Sequence, residues 1–163
     1  MDMEKADGSI YGPAGVQDMN CPHCGARTIE FKVPLSKNNI HVLFTIYKMT
    51  DQGIKHIKTK DLYNKIHSSS PTAELTRLKY LGAIKPYFTQ EDLKKESHRS
   101  GKWTLTERGR LFMEKKIGLP SYVIVRNKKA IEEGEEWMAD NTALKWHKED
   151  EIWQIMKDFW STL

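Results

Sequence analysis

Two short helical patterns separated by a Ser-rich turn lie near the middle of the chain. Apolar residues recur at helical spacing before the turn, and Leu75, Leu78 and Leu81 recur at intervals of three after it. Such stripes predict helices that each bury one face. Thr59 and Ser70 precede the two patterns and are the expected N-caps, because a hydroxyl oxygen accepts a hydrogen bond from a free backbone N–H of the first helical turn.

A predicted hairpin follows the second helix. Gly82 is expected to end that helix in the left-handed conformation that glycine adopts at low cost. A strand begins at Ile84, a polar tip occupies residues 89–100, and residues 102–106 return as a second strand in which apolar and polar side chains alternate.

Two further helices flank this region. Thr106 is expected to begin the later one. In the earlier one, Asn38 or Asn39 is the expected N-cap. Its apolar face would consist of Ile40, Leu43, Phe44, Tyr47 and Met49.

The order helix, turn, helix, strand, tip, strand, helix, with the motifs LxxLGAI and GKWTLTERG, resembles the winged helix-turn-helix family of DNA-binding proteins. The resemblance implies an α+β fold with a winged-helix domain over residues 36–118. It also implies a recognition helix at about residues 70–81, lying in the major groove, and a wing at about residues 84–105. The function implied is sequence-specific binding of double-stranded DNA by a transcriptional regulator.

The resemblance also implies which side chains meet DNA. Base-reading positions on the recognition helix correspond here to Thr72, Ala73, Thr76, Arg77 and Tyr80. An Arg pairs with guanine through two hydrogen bonds, and a Thr contacts the thymine methyl group. Contacts to phosphate, which set register without reading sequence, are expected from Lys60, Ser68, Ser69, Ser70, Lys79 and Lys102. At the wing tip Lys94, Lys95, His98 and Arg99 would reach phosphates or the minor groove, or else form a solvated loop.

The motif CPHCG at residues 21–25 is followed by an alternating strand pattern. Two cysteines at this spacing are typical of one half of a zinc site, which needs four ligands. Cys21 and Cys24 are therefore candidate zinc ligands. The remaining ligands could be His23, His41, His56 or His98, an acidic side chain, or the same knuckle of a second chain. A redox pair and a knuckle without metal are the alternatives.

Residues 119–136 predict a second small β-hairpin, with a turn at residues 126–129. The CPxCG knuckle, the WTLTERG motif and the LPSYVIV strand are together similar to uncharacterised proteins encoded by phages and prophages. That similarity covers about residues 20–132 and favours a regulator of phage or prophage type. The resulting organisation is a flexible arm (1–19), a knuckle and strand (20–35), the winged-helix domain, the hairpin, and a separate tail (137–163).

The tail predicts an acidic amphipathic helix that Thr142 caps and that reaches Leu163. On its apolar face Trp146, Trp153 and Trp160 recur every seven residues. Met156 and Leu163 occupy a second heptad position, and Ile152, Ile155 and Phe159 broaden the face. This face either packs on the chain's own domain or binds a second copy or another protein, since aromatic residues dominate interfaces.

Charge is distributed unevenly along the chain. The net charge is +4, but residues 36–118 contain 17 Lys and Arg against 8 Asp and Glu, a net charge of +9. Residues 132–163 contain 3 Lys and Arg against 9 Asp and Glu, a net charge of −6. A basic middle joined to an acidic end is typical of a nucleic-acid-binding module with a differently used C-terminus.

A second class of function is an adaptor or inhibitor that binds a host or defence protein through the winged helix and the Trp-rich tail, because a fold does not determine function. An enzyme is not expected, because the chain lacks a Ser-His-Asp order and a phosphate-binding Gly loop. No apolar run approaches the ~20 residues of a membrane span, and the N-terminus has no signal-peptide pattern. A cytoplasmic protein without a membrane partner is the expectation.

Overall fold

The computed structural model describes residues 16–20, 27–65, 71–94 and 101–163, and of residues 16–20, 27–29, 71 and 72 it describes the backbone alone. Within these ranges the fold is mixed α+β, with three small sheets. The CPxCG residues lie outside the described part. The flexible arm was predicted to reach residue 19, but Val16–Asn20 forms strand β1, and the rest of the predicted arm lies outside the described residues. None of the described helices is long and apolar enough to span a bilayer.

Helix α1, Lys37–Asp51, lies at the centre of the core, and its Ile40, Leu43 and Ile46 are fully buried. The prediction of an Asn N-cap is wrong. Ser36 is the N-cap, and its hydroxyl accepts a hydrogen bond from the backbone N–H of Asn39 at 3.3 Å. Asn39 completes a capping box, since its side-chain oxygen accepts from the Ser36 backbone N–H at 3.1 Å.

The described residues in the middle of the chain follow the predicted order of elements, with a short strand added before the first helix of the pair and a short helix added in the wing tip. The elements are β3 (Ile57–Lys58), α2 (Thr59–Tyr63), α3 (Pro71–Tyr80), β4 (Ile84–Pro86), α4 (Gln90–Leu93), β5 (Lys102–Leu105) and α5 (Glu107–Met113). The three strands form an antiparallel sheet in the order β3-β5-β4.

Thr106 connects the start of α5 to the turn that follows α3. Its backbone N–H donates to the Ala83 carbonyl at 3.0 Å, its hydroxyl donates to the Gly82 carbonyl at 2.7 Å, and the same hydroxyl accepts from the Gly109 N–H at 3.0 Å. Gly82 has the predicted positive φ of 84°. A Cβ at Gly109 would overlap the Ala83 carbonyl. We call Gly82, Ala83, Thr106 and Gly109 the Thr106 junction. The contacts among these residues explain why the chain contains both the LGA and the TERG motif.

Two local predictions in this region are corrected. Thr59 is the first residue of α2 and not its cap, and its hydroxyl instead donates to the Gly101 carbonyl at 3.1 Å. The wing tip was predicted to be a loop, but it begins with α4. A capping box between Thr89 and Asp92 explains this helix, because each side chain accepts a hydrogen bond from the other residue's backbone N–H.

The N-terminal strands and the second hairpin form one antiparallel sheet. Its order is β1-β2-β7-β8, with β2 at Arg27–Pro34, β7 at Tyr122–Arg126 and β8 at Lys129–Glu133. The two-residue turn between β7 and β8 consists of residues 127 and 128, both with positive φ, which matches the twist of a tight hairpin. A bulge at Ile131 interrupts the pairing of the edge strand β8. Strands β6 (Leu119–Pro120) and β9 (Glu136–Trp137) form a separate pair.

The tail is not the single helix that was predicted from Thr142. A 3-10 helix at Thr142–Leu144 ends where Lys145 adopts a left-handed φ of 57°, which an α-helix does not accommodate. Helix α6 begins later and spans Glu151–Ser161. The carboxylate of Asp150 accepts from the His147 backbone N–H at 2.8 Å and so shapes the turn that precedes α6.

The aromatic face of α6 packs on the chain's own core. Met156 is fully buried, and the ring of Phe159 lies edge to face with Phe44 and Tyr47 of α1 at 5.7 and 5.3 Å. The Trp160 indole N–H donates to the Met113 carbonyl at 2.7 Å. Of the two interpretations of this face, the structure therefore favours internal packing. Trp146 and Trp153 extend the same layer by stacking with centroids 5.4 Å apart.

Helices α1 and α5 are also tied by a hydrogen bond between side chains. The Tyr47 hydroxyl donates to the Glu114 carboxylate at 2.9 Å. Burial and this hydrogen bond raise the pKa of Tyr47 to about 12. Arg110 contacts the same carboxylate at 3.0 Å, so the buried phenol and the guanidinium share one acceptor.

Truncating the buried Met156 side chain of α6 should destabilise the whole fold. Met156→Ala should lower the free energy of unfolding by about 2–5 kcal/mol, because it opens a cavity in the core. The matched control is Ile155→Ala, since Ile155 is 46% exposed on the same helix and should change it by less than about 0.5 kcal/mol. Urea unfolding followed by tryptophan fluorescence measures both. Equal effects of the two variants would contradict the packing of α6.

The Tyr47 hydrogen bond should make stability depend on alkaline pH. The folded-state pKa lies above the ordinary value of 10.0, so the contribution of the neutral phenol is complete below about pH 10 and is lost as the pH rises towards 12. Tyr47→Phe should therefore be less stable than wild type at about pH 9, and the difference should shrink at about pH 11. The half-exposed Tyr63→Phe is the control, and a pH-independent difference for Tyr47→Phe would disprove the linkage.

Candidate nucleic-acid interface

Helix α3 separates its buried and exposed residues as the sequence predicts. Leu75, Leu78 and the following Leu81 are fully buried against the core. On the opposite side Thr76, Arg77 and Lys79 are exposed, whereas Ala73 is half-buried. The helix therefore presents one hydroxyl, one guanidinium and one ammonium group to solvent.

Tyr80 was predicted to read bases, but its ring is used for packing. It lies edge to face with Phe31 of β2, with ring centroids 5.8 Å apart. The ammonium group of Lys79 lies 5.2 Å from the centroid of the same ring. Tyr80 therefore joins α3 to the four-stranded sheet, and the exposed row of the helix is narrower than the resemblance implies.

A buried carboxylate holds Arg77 in place. Glu74 is only 5% exposed. One of its oxygens accepts from Arg77 Nη1 at 2.8 Å, and the other accepts from the side-chain amide of Asn39. Because Asn39 also belongs to the capping box of α1, Arg77 is connected through Glu74 to the start of the central helix. The Arg77 side chain is still 48% exposed, so the outer part of its guanidinium is available to a ligand.

A second group of cations lies where α2 meets the wing. Lys60 is exposed in the first turn of α2, and Lys102 is half-buried on β5. The Lys102 ammonium lies 3.7 Å from the carboxylate of Asp92, in the capping box of α4. Thr59 joins the two elements, because its backbone N–H donates to the Gly101 carbonyl at 2.8 Å. Lys94 is exposed just after α4.

The acidic tail pairs with cations on another part of the molecule. Asp150 lies 3.4 Å from the ammonium of Lys37, at the start of α1, and Asp140 lies 2.7 Å from that of Lys115, just after α5. The backbone hydrogen bond from His147, together with the charge and hydrogen bond of Lys37, lowers the pKa of Asp150. These contacts neutralise the side of the domain that α6 covers.

Several predicted site residues lie outside the described part of the chain. They are Ser68, Ser69, Ser70, Lys95 and Arg99 of the predicted DNA surface and Cys21, His23, Cys24 and His98 of the predicted zinc site. Thr72 is described through its backbone alone. His41 is half-buried on α1. Among the described residues, no three His, Cys, Asp or Glu side chains come close enough to hold a metal ion.

Sequence analysis missed Glu74 and Asp92, which position Arg77 and Lys102. Both left a signal. Glu74 lies four residues before Leu78 and seven before Leu81, so it occupies the buried stripe of α3, where a carboxylate needs a partner. Asp92 lies three residues after Thr89, which is the spacing of a capping box.

The chain was also compared with known proteins. No protein-family model, no curated protein and no solved structure matches it.

Proposed function

We propose that this chain is a winged-helix protein that binds duplex DNA in a sequence-specific manner, as a transcriptional regulator of phage or prophage type. In this proposal α3 enters the major groove, and the surface around α2 and the wing contacts the DNA backbone. The protein acts by binding and not by catalysis.

The observation that carries the proposal is the presentation of Arg77. A guanidinium held by a buried carboxylate loses less conformational freedom when it binds, and its planar fork matches guanine O6 and N7. Thr76 and Lys79 lie beside it on the exposed row. The arrangement therefore combines Arg77 and Thr76, which can read bases, with Lys79, which can hold the backbone.

The order of the strands supports the winged-helix assignment. The strand before α2 pairs with the last strand of the wing, in the order β3-β5-β4, and α5 begins directly after that strand. Arg77 and Lys102 of the proposed DNA surface form ion pairs with Glu74 and Asp92, but other lysines of that surface pair with no described residue. The tail neutralises Lys37 and Lys115, whereas no described residue forms an ion pair with Lys60 or Lys79.

Base reading and phosphate binding should separate on mutation. Arg77→Ala is a poor test, because it leaves the buried Glu74 charge without its partner and should destabilise the fold. Arg77→Lys keeps a positive charge beside Glu74 but removes the planar fork. It should cost roughly 1–3 kcal/mol on a preferred site, selected from a random duplex pool, and much less on random DNA.

Lys60→Gln should weaken binding to all sequences alike and reduce the slope of log K against log salt by about 0.9, since one phosphate contact is lost. Lys129→Gln, on the edge of the other sheet, is the matched control and should leave both slope and affinity unchanged. Fluorescence anisotropy at several salt concentrations measures all of these. If wild-type protein binds no duplex even at low salt, the regulator proposal fails and the protein-binding alternative replaces it.

We also propose that the CPxCG knuckle holds a structural zinc ion through the Cys21 and Cys24 thiolates. Strands β1 and β2 support this proposal, because Asn20 pairs with Arg27 and residues 21–26 therefore connect two adjacent strand ends. Thiolates bound to zinc would hold this connection closed. The remaining ligands would come from His23, His41, His56 or His98, from an acidic side chain, or from the same knuckle of a second chain.

Metal analysis tests the zinc proposal. Purified protein should contain about one zinc ion per chain, or about one per two chains if two knuckles share the ion. Cys21→Ser should lose the metal and increase hydrogen exchange in β1 and β2. Protein that is free of metal and melts at the same temperature with and without added zinc would refute the proposal, and DNA binding does not enter this measurement.

A further inference from the structure

Two lysines face each other across the short strand pair that joins α2 to the wing. In the pairing of β3 with β5, Ile57 lies opposite Trp103 and Lys58 lies opposite Lys102. Ile57 is fully buried. Because side chains alternate along a strand, its neighbour Lys58, and Lys102 opposite Lys58, point away from the core. Side chains directly opposite each other in an antiparallel pair are about 5 Å apart at Cβ, and two like charges in this position repel.

These two lysines line an open depression of about 370 Å³. Its other lining residues are Thr59, Lys60, Tyr63 and Gly101, and we call this depression the lysine pocket. Its base is well ordered by hydrogen bonds. Both the backbone N–H and the hydroxyl of Thr59 donate to the Gly101 carbonyl, and the Trp103 indole N–H donates to the Thr59 hydroxyl at 3.0 Å.

Within the described residues, ion pairing leaves part of the positive charge of the lysine pocket unmatched. Asp92 is the carboxylate that approaches Lys102, and the same oxygen already accepts hydrogen bonds from the Thr89 backbone and hydroxyl at 2.9 and 2.8 Å. Lys58 and Lys60 form no ion pair with any residue in the described ranges. The three lysines line one depression, and an anion bound between them would reduce the repulsion.

We propose that the lysine pocket is a binding site for a single phosphate group. Lysine binds phosphate as a point charge with three donors. Lys58 adds a third ammonium group to those of Lys60 and Lys102 at the same depression. One source of this phosphate is the backbone of nucleic acid, and for that source the inference rests on the proposed function. The same chemistry would accept the phosphate of a free nucleotide, and the experiment separates the two sources.

The test compares Lys58→Gln with Lys129→Gln, an exposed lysine on the four-stranded sheet. Without ligand, Lys58→Gln should melt at the same temperature as wild type or higher, because the facing like charges are gone. A lower melting temperature would instead indicate a purely structural role and overturn the inference. Pyrophosphate, as a small probe, should raise the melting temperature of wild type and Lys129→Gln in a saturable manner and should have little effect on Lys58→Gln.

Duplex DNA is titrated into the same proteins over a range of salt concentrations. If the phosphate belongs to nucleic acid, Lys58→Gln should weaken binding to every duplex and reduce the slope of log K against log salt, by at most the ~0.9 of one phosphate, because Lys60 and Lys102 still face that phosphate. An unchanged slope with a lost pyrophosphate response would assign the site to a free phosphorylated ligand. If Lys58→Gln and Lys129→Gln show the same rise in melting temperature with pyrophosphate and the same salt slope with DNA, while wild type binds DNA, the lysine pocket is overturned and the proposed function stands. The remaining case is that wild type binds no DNA, while pyrophosphate raises the melting temperature of wild type but not that of Lys58→Gln. The lysine pocket then stands and the proposed function fails.

Discussion

The close contact between the turn after α3 and the start of α5 determines the geometry of the central domain. At the Thr106 junction one hydroxyl both donates to the Gly82 carbonyl and accepts from the Gly109 N–H. A helix can approach a carbonyl this closely only where a residue has no Cβ, and Gly109 meets that condition. The junction sets the angle between α3 and α5 and places β5 beside β4. The exposed row of α3 and the frame of the lysine pocket both depend on it.

Sequence analysis predicted the order of elements in this domain because each of its signals is local. The stripe of Leu75, Leu78 and Leu81, the positive φ of Gly82 and the cap at Thr106 each depend on residues a few positions apart. The predictions failed where a distant contact or a backbone torsion decides. The left-handed Lys145 that divides the tail has no clear sequence signal, because Lys rarely adopts this conformation.

The candidate site was predicted in its cations but not in the groups that orient them. Charge and exposure are readable from a pattern, so Lys60, Arg77 and Lys102 were expected at the surface. Two carboxylates that orient them depend on contacts between elements: Asn39 of α1 holds Glu74 of α3, and Asp92 of α4 reaches Lys102 of β5. The facing position of Lys58 depends on strand register, which a two-residue strand does not reveal in advance. The packing of Tyr80 was not predicted either, since its partner Phe31 is 49 positions away in the chain.

The bulge at Ile131 has a consequence for how copies of this protein behave at high concentration. An edge strand normally offers its free backbone groups as a template for a strand of another molecule. In β8 the bulge adds a residue that an incoming strand cannot match, and Lys129, Glu132 and Glu133 surround it with charge. Among the described strands Ile131 lies half-exposed on the edge of the sheet, and the bulge makes this edge a poor template for aggregation. The bulge thus hinders pairing between copies of the protein by shifting the strand register, and no other element has to cover the edge.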